Sequence, residues 1–474
     1  MSKVAIISIS NVSFTDRIVQ DGFIEGFANT FARMGNEVRC YVIVPYLEED
    51  AEKDIKKFKP DVIISFNNVF MRERLFKAVS CPVCIFGYDS ASFWENLDLV
   101  RKNYDRYYFI HHGEDTYSQS HKLLPDAPEY HHFIFGYASD LRKKNIPQNI
   151  NISFIGGLGN WNRSLPNYFM RMYYERRDFS LNDVKNKVIK DMEALGKNHL
   201  KIIKKIPNNW ENLGLLDYRQ ATILNLTALK RFDVLRNVAD LGLKVFSYPQ
   251  FIDVIGWDLN LAKAFDFTPS VSLEDSEYNF NRSKISLNLP HAHAQVGFSC
   301  RVCAIMASNA CLLSDYRRDL GLLMKPYFKN FPMFTSSAEA REISQKLLKE
   351  TNYRKDIVAA SQQMVDENCR FEKKIQGLSE MLNIPFDLED KSRGSVYKHF
   401  EEYRKKLNNA EVQEGDKYQD KSSKKKGSKL NLKKRFKLFV NLLLLALWQI
   451  PILDLGVRKK NREHILNKIH KYWR

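Results

Sequence analysis

The chain has 474 residues, of which 44% are hydrophobic and 27% are charged, and its net charge is +17. One hydrophobic core rarely extends over this length, so we expect at least two globular domains. Residues 421–474 contain sixteen Lys or Arg and two acidic residues, which leaves a net charge of only +3 for the other 420 residues. A nucleic-acid-binding domain usually carries its own basic face, so this distribution argues against nucleic acid as a partner.

The seven cysteines are an odd number, which disfavours a complete disulfide framework and suits a reducing cytosol. Two C-x2-C pairs, Cys81/Cys84 and Cys300/Cys303, raise the question of a zinc site. We do not expect one, because the first pair lies in a predicted strand and the two pairs are far apart in sequence. No metal and no other cofactor is predicted, and no secretory signal is expected at the amino terminus.

Short apolar runs alternate with helical patterns through the first 148 residues. The apolar run at 3–10 is followed by a helical pattern at 15–35, and similar pairs continue to the strand DRYYFIHH at 105–112. Continuous apolar strands in such an alternation predict a parallel sheet covered on both faces. We therefore predict a Rossmann-like domain over 1–148.

The alternation restarts at NISFIGG, from residue 151, and predicts a second Rossmann-like domain over 149–385 with a helical insertion at about 164–225. A helix and a charged linker are predicted over 386–429, where the later residues are too polar to form a core. The predicted fold class is therefore α/β, with two facing domains built on parallel sheets and a carboxy-terminal tail.

The tail, residues 430–474, is predicted to associate with a membrane. Its apolar run at 438–453 has sixteen residues, shorter than the about 20 that span a bilayer, and basic residues flank both ends. This predicts that 421–474 bind an anionic membrane surface, which would place a cytoplasmic protein on the inner face of the cell membrane. A helical hairpin packed on the body and a single membrane span are the alternatives.

Polar residues are expected to meet at a cleft, because ligands of parallel sheets bind beyond the carboxyl ends of the strands. In HAHAQVGFSCR, Gly297 and Ser299 precede a helix expected to begin near Cys300, and Arg301 offers a positive fork that suits a diphosphate. A surface arginine in an ordinary polar loop is the alternative. The residues predicted to bind such a ligand are Gly156, Gly157, Arg163, Tyr248, His291, His293, Gly297, Ser299, Arg301 and Asp315.

Residues 283–324 resemble the carboxy-terminal half of the CgeB-like glycosyltransferases, and the likeness extends over about 150–385. The matching residues are Ser283, Lys284 and Asn288 in a strand, Gly297 in the loop, Arg301, Met306 and Ala307 in the helix, and Ser314 and Asp315 at the next strand end. The resemblance implies the GT-B architecture of two facing Rossmann-like domains. It also implies transfer of a sugar from a nucleotide-sugar donor to a glycan or lipid-linked acceptor in surface polysaccharide synthesis.

Three departures from the family pattern concern the donor half. Ala304 stands where the resemblance implies a carboxylate that binds the donor ribose, and Asn309 stands where it implies glycine. The glutamate pair of retaining relatives would begin near Val296 and is absent, so an inverting reaction is expected if the chain is active. A catalytically inactive scaffold that binds a glycan or a partner enzyme at the membrane is the alternative.

An inverting reaction needs a base that deprotonates the acceptor hydroxyl while positive groups hold the leaving diphosphate. This base is expected at a strand end of the first domain. The candidates are His112 and Asp89, which we prefer, together with His111, Glu114 and Asp115. For each of them, a loop residue without a catalytic role is the alternative.

Overall fold

In a computed structural model, the described residues are 1–9, 11–12, 18–19, 21–43, 47–88, 94–157, 215–247, 258–266, 268, 270–292, 294, 296–391 and 394–403. Nearly all of them belong to one compact unit, Met1–Glu401. The predicted membrane tail, the linker beyond residue 403 and most of the predicted insertion lie outside the described residues. Within the described ranges, no helix is both long and apolar enough to cross a membrane.

The strands and helices follow one another in the alternation that the sequence predicts. The strands are β1 Lys3–Ile9, β2 Asn11–Val12, β3 Ile18–Val19, β4 Glu37–Ile43, β5 Val62–Phe66, β6 Val83–Gly87, β7 Tyr107–His111, β8 His132–Ile134, β9 Ile150–Ile155, β10 Leu243–Phe246, β11 Phe265–Asp266, β12 Ser283–Asn288, β13 Cys311–Asp315, β14 Met333–Phe334 and β15 Val396–Lys398. The helices are α1 Gly22–Arg33, α2 Glu48–Phe58, α3 Glu73–Ala78, α4 Leu97–Arg101, α5 Glu114–Leu123, α6 Leu215–Val238, α7 Leu259–Ala264, α8 Leu273–Asn281, α9 Cys300–Met306, α10 Arg318–Met324, α11 Ser337–Lys349, α12 Thr351–Asn368 and α13 Phe371–Leu382.

The first sheet has the order β15-β4-β1-β5-β6-β7-β8, and all its neighbouring strands are parallel. Its strands are buried on both faces, since alternate side chains of β1 enter two different cores. Ile6 packs with α1 residues such as Phe27, whereas Ile7 packs with α2 residues such as Ile55. We call this sheet with the helices on its faces the first lobe.

The second sheet has the order β11-β10-β9-β12-β13-β14, and it is also entirely parallel. Its central strands, β9 and β12, place Ile152, Phe154, Ile285 and Leu287 in one large core that also includes residues of α9 and α12. We call this sheet with its helices the second lobe. The predicted fold class, α/β with two parallel sheets, is confirmed.

After the second lobe, the chain returns to the first. Helix α13 buries Phe371, Ile375 and Leu378 in the core beneath α1, and β15 pairs in parallel with the edge strand β4. Part of the segment predicted as second domain and part of the predicted linker therefore complete the first lobe. Alternation along the chain cannot show this, because an amphipathic helix can cover either sheet.

Candidate functional site

A cavity of about 400 Å³ lies between the two lobes, at the carboxyl ends of their strands. Residues that follow the ends of β6, β7, β9, β10 and β12 line it, as expected for parallel sheets. Its wall includes Asp21, Tyr88, His112, Asp115 and Tyr137 from the first lobe and Gly156, Arg231, Phe246, His291, Ser299 and Arg301 from the second. We call it the central cavity.

Arg301 reaches the central cavity from the first turn of α9. Its guanidinium carbon lies 3.8 Å from the position that a Cβ atom on residue 156 would occupy. Gly156 has a φ of +148°, which glycine adopts more readily than other residues, so it suits both the turn after β9 and the close approach of this arginine. The Arg301 guanidinium makes no hydrogen bond or ion pair with another described residue, and it lines the cavity.

Arg231 is a second arginine at the cavity, and it comes from the long helix α6. Its side chain is only 3% exposed, and it donates to the carbonyl oxygens of Leu289 at 2.9 Å and Gly157 at 2.5 Å. Burial and, secondly, the charge of Arg301 lower the pKa of Arg231 to about 9. It therefore stays protonated at neutral pH. Two guanidinium groups at one cavity suit a ligand with more than one negative charge.

Asp21 faces the cavity from the first lobe as the N-cap of α1. Its carboxylate accepts from the Phe23 N–H at 2.9 Å and from the Tyr88 hydroxyl at 3.3 Å. Burial raises the pKa of Asp21, and the two hydrogen bonds and Arg301 offset part of this effect. The sequence predicted a helix from residue 15, but α1 begins at Gly22, so Asp21 was missed. An acidic residue directly before an apolar helix is the signal that could have identified it.

His112 also lines the central cavity, as predicted. It is 5% exposed, and its ring stacks on Tyr137 at 5.2 Å, which in turn stacks on Phe298 of the second lobe at 4.1 Å. Burial lowers the pKa of His112 to about 4. The imidazole is therefore neutral at pH 7 and can accept a proton, although it is a weaker base than an ordinary histidine.

His111 and Glu114 are not cavity residues. Successive side chains of a strand point to opposite faces, so the His111 ring turns away from His112 and lies in the first lobe, with its Nε2 2.8 Å from Nδ1 of His132. Glu114 is exposed at the start of α5 and is not part of the cavity wall. Asp89 lies outside the described residues.

The predicted donor-binding residues include some that line the cavity, some that lie elsewhere in the second lobe and some that lie outside the described residues. His291, Ser299, Gly156 and Gly157 line the cavity with Arg301. Asp315 does not, because it is buried in ion pairs with Lys230 and Arg317.

Gly297 is buried, and its N–H donates to the Asp115 carboxylate. Arg163, Tyr248 and His293 lie outside the described residues. No group of three or more His, Cys, Asp or Glu that could hold a metal occurs in the part of the chain that the structure describes.

Residues 230–379 match the family model described as "Glycosyl transferase-like". The matched segment contains both arginines of the central cavity, and the match confirms the predicted enzyme class, a glycosyltransferase, for this part of the chain. The narrower CgeB-like resemblance stays a prediction. No curated protein sequence matches the chain.

Several solved structures are similar to the chain at low identity. T4 phage BGT in complex with UDP and Mn2+ is 10% identical, with 81% of this chain and 100% of that chain covered and a TM-score of 0.45. Anabaena HepE in complex with UDP and glucose is 8% identical, with 81% and 100% covered and a TM-score of 0.41. S. aureus TarM is 11% identical with a TM-score of 0.39; the match covers 70% of this chain and 57% of TarM. At these scores, the likenesses do not bear on substrate or mechanism.

We expect His112 to make the protein less stable in acid. Its pKa is about 4 in the folded chain and 6.5 ordinarily, so the unfolded chain takes up this proton first as the pH falls. The free energy of unfolding should therefore drop between about pH 6.5 and 4, by up to about 3 kcal/mol from this group. His112→Phe, which preserves a stacked ring, should lose less stability over this range. Urea denaturation of both proteins at pH 7 and pH 4.5 measures the difference, and equal losses would contradict the assignment.

Proposed function

We propose that the whole chain transfers a sugar from a nucleotide-sugar donor to a hydroxyl group of a glycan or lipid-linked acceptor. The observation that carries this proposal is that cationic side chains and candidate bases lie on opposite walls of the central cavity. Arg231 and Arg301 lie on the second-lobe wall, and Asp21 and His112 lie on the first-lobe wall. Glycosyl transfer with inversion needs this division, with cations for the leaving diphosphate and a base on the side of the acceptor.

The two arginines would bind the diphosphate of the donor. Arg231 is held in place by the carbonyl oxygens of Leu289 and Gly157, so its guanidinium is oriented before a ligand arrives. Arg301 adds a second positive charge beside Gly156. Negative charge that develops on the diphosphate as the glycosidic bond breaks would be stabilised by both groups, in a site partly shielded from water.

Asp21 is the base that the geometry favours. The acceptor hydroxyl would give its proton to the Asp21 carboxylate while its oxygen bonds to the anomeric carbon. The bond from that carbon to the diphosphate breaks, and the diphosphate leaves with the electron pair. A raised pKa makes Asp21 a better proton acceptor than an ordinary aspartate. His112, on the same wall, is the second candidate.

The two substitutions noted in the donor half have different consequences. Ala304 lines the central cavity, so no carboxylate stands there to bind a ribose; Ser270 and Ser276 on the cavity wall offer hydroxyl groups instead. Asn309 is not part of that wall. Its backbone N–H donates to Asn281 and its side chain donates to the Lys144 carbonyl oxygen. The presence of Asn309 in place of the family's glycine therefore does not affect donor binding.

Donor binding should depend on Arg301. Titration calorimetry of the full chain with a panel of nucleoside diphosphates should identify at least one ligand, and Arg301→Ala should weaken its binding by about tenfold to a hundredfold, because a charged hydrogen bond is lost. Arg236→Ala is the matched control, since Arg236 is exposed on the same helix as Arg231. No binding by the wild type, or equal binding by Arg301→Ala, would refute the proposal. Binding without transfer to any acceptor would favour the inactive scaffold.

Asp21→Asn should reduce kcat without a matching loss of donor affinity. Asparagine retains an oxygen that can accept from the Phe23 N–H, so the cap of α1 survives while the proton acceptor is lost. We expect kcat to fall by about a hundredfold or more. Steady-state kinetics with His112→Phe in parallel would decide between the two candidates, and a full kcat in Asp21→Asn would exclude Asp21 as the base.

We also propose that residues 421–474 hold the enzyme at an anionic membrane surface, where a lipid-linked acceptor would be found. The support is their composition, since they lie outside the described residues. The full chain should sediment with phosphatidylglycerol vesicles and not with phosphatidylcholine vesicles. Replacing Lys424, Lys425 and Lys426 by Glu should weaken binding by at least about tenfold, because each lysine near such a surface contributes about 1 kcal/mol. Equal sedimentation with phosphatidylglycerol and phosphatidylcholine vesicles would contradict this location.

A further inference from the structure

The last described strand, β15, joins the carboxy-terminal part of the chain to helix α1. β15 pairs in parallel with the edge strand β4, and its last residue, Lys398, has its Nζ 2.6 Å from Oε1 of Glu25 in α1. The two side chains are 23% and 16% exposed, so salt screens this ion pair less than a pair on the open surface. Glu401, which is more exposed, is a second partner of Lys398 at 3.6 Å. Burial lowers the pKa of Lys398, but Glu25 raises it above its ordinary value, so the lysine is charged at neutral pH.

The other carboxylate oxygen of Glu25 reaches the second lobe. Its Oε2 accepts from the backbone N–H of Leu273 at 2.8 Å, and Leu273 is the first residue of α8. A negative charge is favourable at this end of a helix, where the N–H groups have no partner within the helix. One carboxylate therefore connects β15, α1 and α8, and each of its two oxygens has a different partner. Lys398 holds one oxygen in place and so helps to fix the direction of the other.

Both helices that Glu25 joins also form walls of the central cavity. Asp21, the proposed base, precedes Glu25 by one turn of α1, and the Glu25 N–H donates to its carbonyl oxygen at 2.9 Å. On the other side, Leu273 and Ser276 of α8 line the cavity from the second lobe. The distance from Asp21 to the second-lobe wall therefore depends on the contact between α1 and α8.

We propose that Lys398 and Glu25 are positioning residues that hold Asp21 at its distance from the donor. Neither residue lines the cavity; Lys398 acts through Glu25, and Glu25 acts through the junction of α1 and α8. Without Lys398, the Glu25 carboxylate would turn more readily to water, and the two helices would separate at the cavity. Transfer between two bound groups is sensitive to shifts of about 1 Å, so a small separation would slow the reaction. This inference rests on the proposed function, because it requires a donor in the cavity and Asp21 as the base.

Lys398→Met removes the charge of the lysine and keeps most of its length, whereas Lys398→Arg keeps the charge. Lys391→Met is the matched control, because Lys391 precedes β15 and is ion-paired with Asp387, which is bonded to the first lobe through Asn36. Calorimetry of the full chain selects the nucleoside diphosphate that binds best from UDP, GDP, ADP, CDP and dTDP. Turnover is then measured as release of this nucleotide from its glucose derivative, with octyl glycosides of glucose, galactose and N-acetylglucosamine as acceptors.

Lys398→Met should lower kcat by about tenfold, whereas the KM of the donor and the dissociation constant of the free nucleotide should change by less than about twofold. The affinity is kept because the arginines that would bind the diphosphate, Arg231 and Arg301, belong to the second lobe, which the substitution does not displace. Lys398→Arg should recover most of the wild-type kcat, and Lys391→Met should leave it unchanged.

Glu25→Gln tests the same contact from the other side. The glutamine oxygen can still accept from the Leu273 N–H, but the amide nitrogen offers no acceptor to Lys398. This variant should lose about as much kcat as Lys398→Met. The double variant should lose about tenfold rather than about a hundredfold, because the two substitutions break one and the same contact.

The outcomes separate this inference from the function on which it rests. If none of the five nucleotides binds, or no acceptor receives sugar from the wild type, the proposed function fails and this inference fails with it. If the wild type transfers the sugar but the losses of the two single variants multiply in the double variant, the inference alone fails. It also fails if Lys398→Met has a lower melting temperature and an unchanged kcat, since the ion pair would then only stabilise the fold.

Discussion

The presence of two guanidinium groups at one cavity, Arg231 buried and Arg301 half-buried, is the constraint around which the site is arranged. A buried cation costs free energy unless hydrogen-bond acceptors or an anion compensate it. Two backbone carbonyl oxygens compensate Arg231, whereas the guanidinium of Arg301 has no hydrogen bond or ion pair to another described residue. The low pKa of Arg231 reflects this unfavourable placement, which a ligand with two negative charges would relieve. A diphosphate is therefore the ligand that this part of the molecule favours most.

The width of the cavity depends on polar contacts between the lobes. Besides Asp115, the Gly22 N–H donates to the Val271 carbonyl oxygen at 2.9 Å, and the Leu273 N–H donates to Glu25 at 2.8 Å. A Cβ atom on residue 22 would lie 3.1 Å from the Leu273 backbone, so glycine permits this approach. These contacts hold Asp21, which directly precedes Gly22, and the second lobe on opposite sides of the same space.

Structural features that depend on the local sequence pattern could be predicted. Features that depend on how distant segments pack together could not. The apolar runs were sufficient to predict the two parallel sheets. The loop before α9 was sufficient to predict that Arg301 lies at the cavity. Arg231 was missed because one arginine in a 24-residue helix carries no signal of the face it occupies. His112 was preferred to His111, but alternation shows only that the two side chains diverge and not which one faces the cleft. The return of α13 to the first lobe depends on contacts more than 300 residues apart in sequence.

The division of charge between the lobes also connects the base to the donor. Arg301 is one of the groups that lower the pKa of Asp21 against the effect of burial. A diphosphate bound to Arg301 would neutralise that contribution, and the pKa of Asp21 would then rise further. On the proposed assignment, the carboxylate becomes a stronger base only when a donor is in place, which limits the time during which a reactive base faces water alone. The pH dependence of kcat/KM reports the pKa of the base in the free enzyme, and that of kcat reports its pKa in the complex with substrates. The acid limb of the kcat profile should therefore lie at higher pH than the acid limb of the kcat/KM profile.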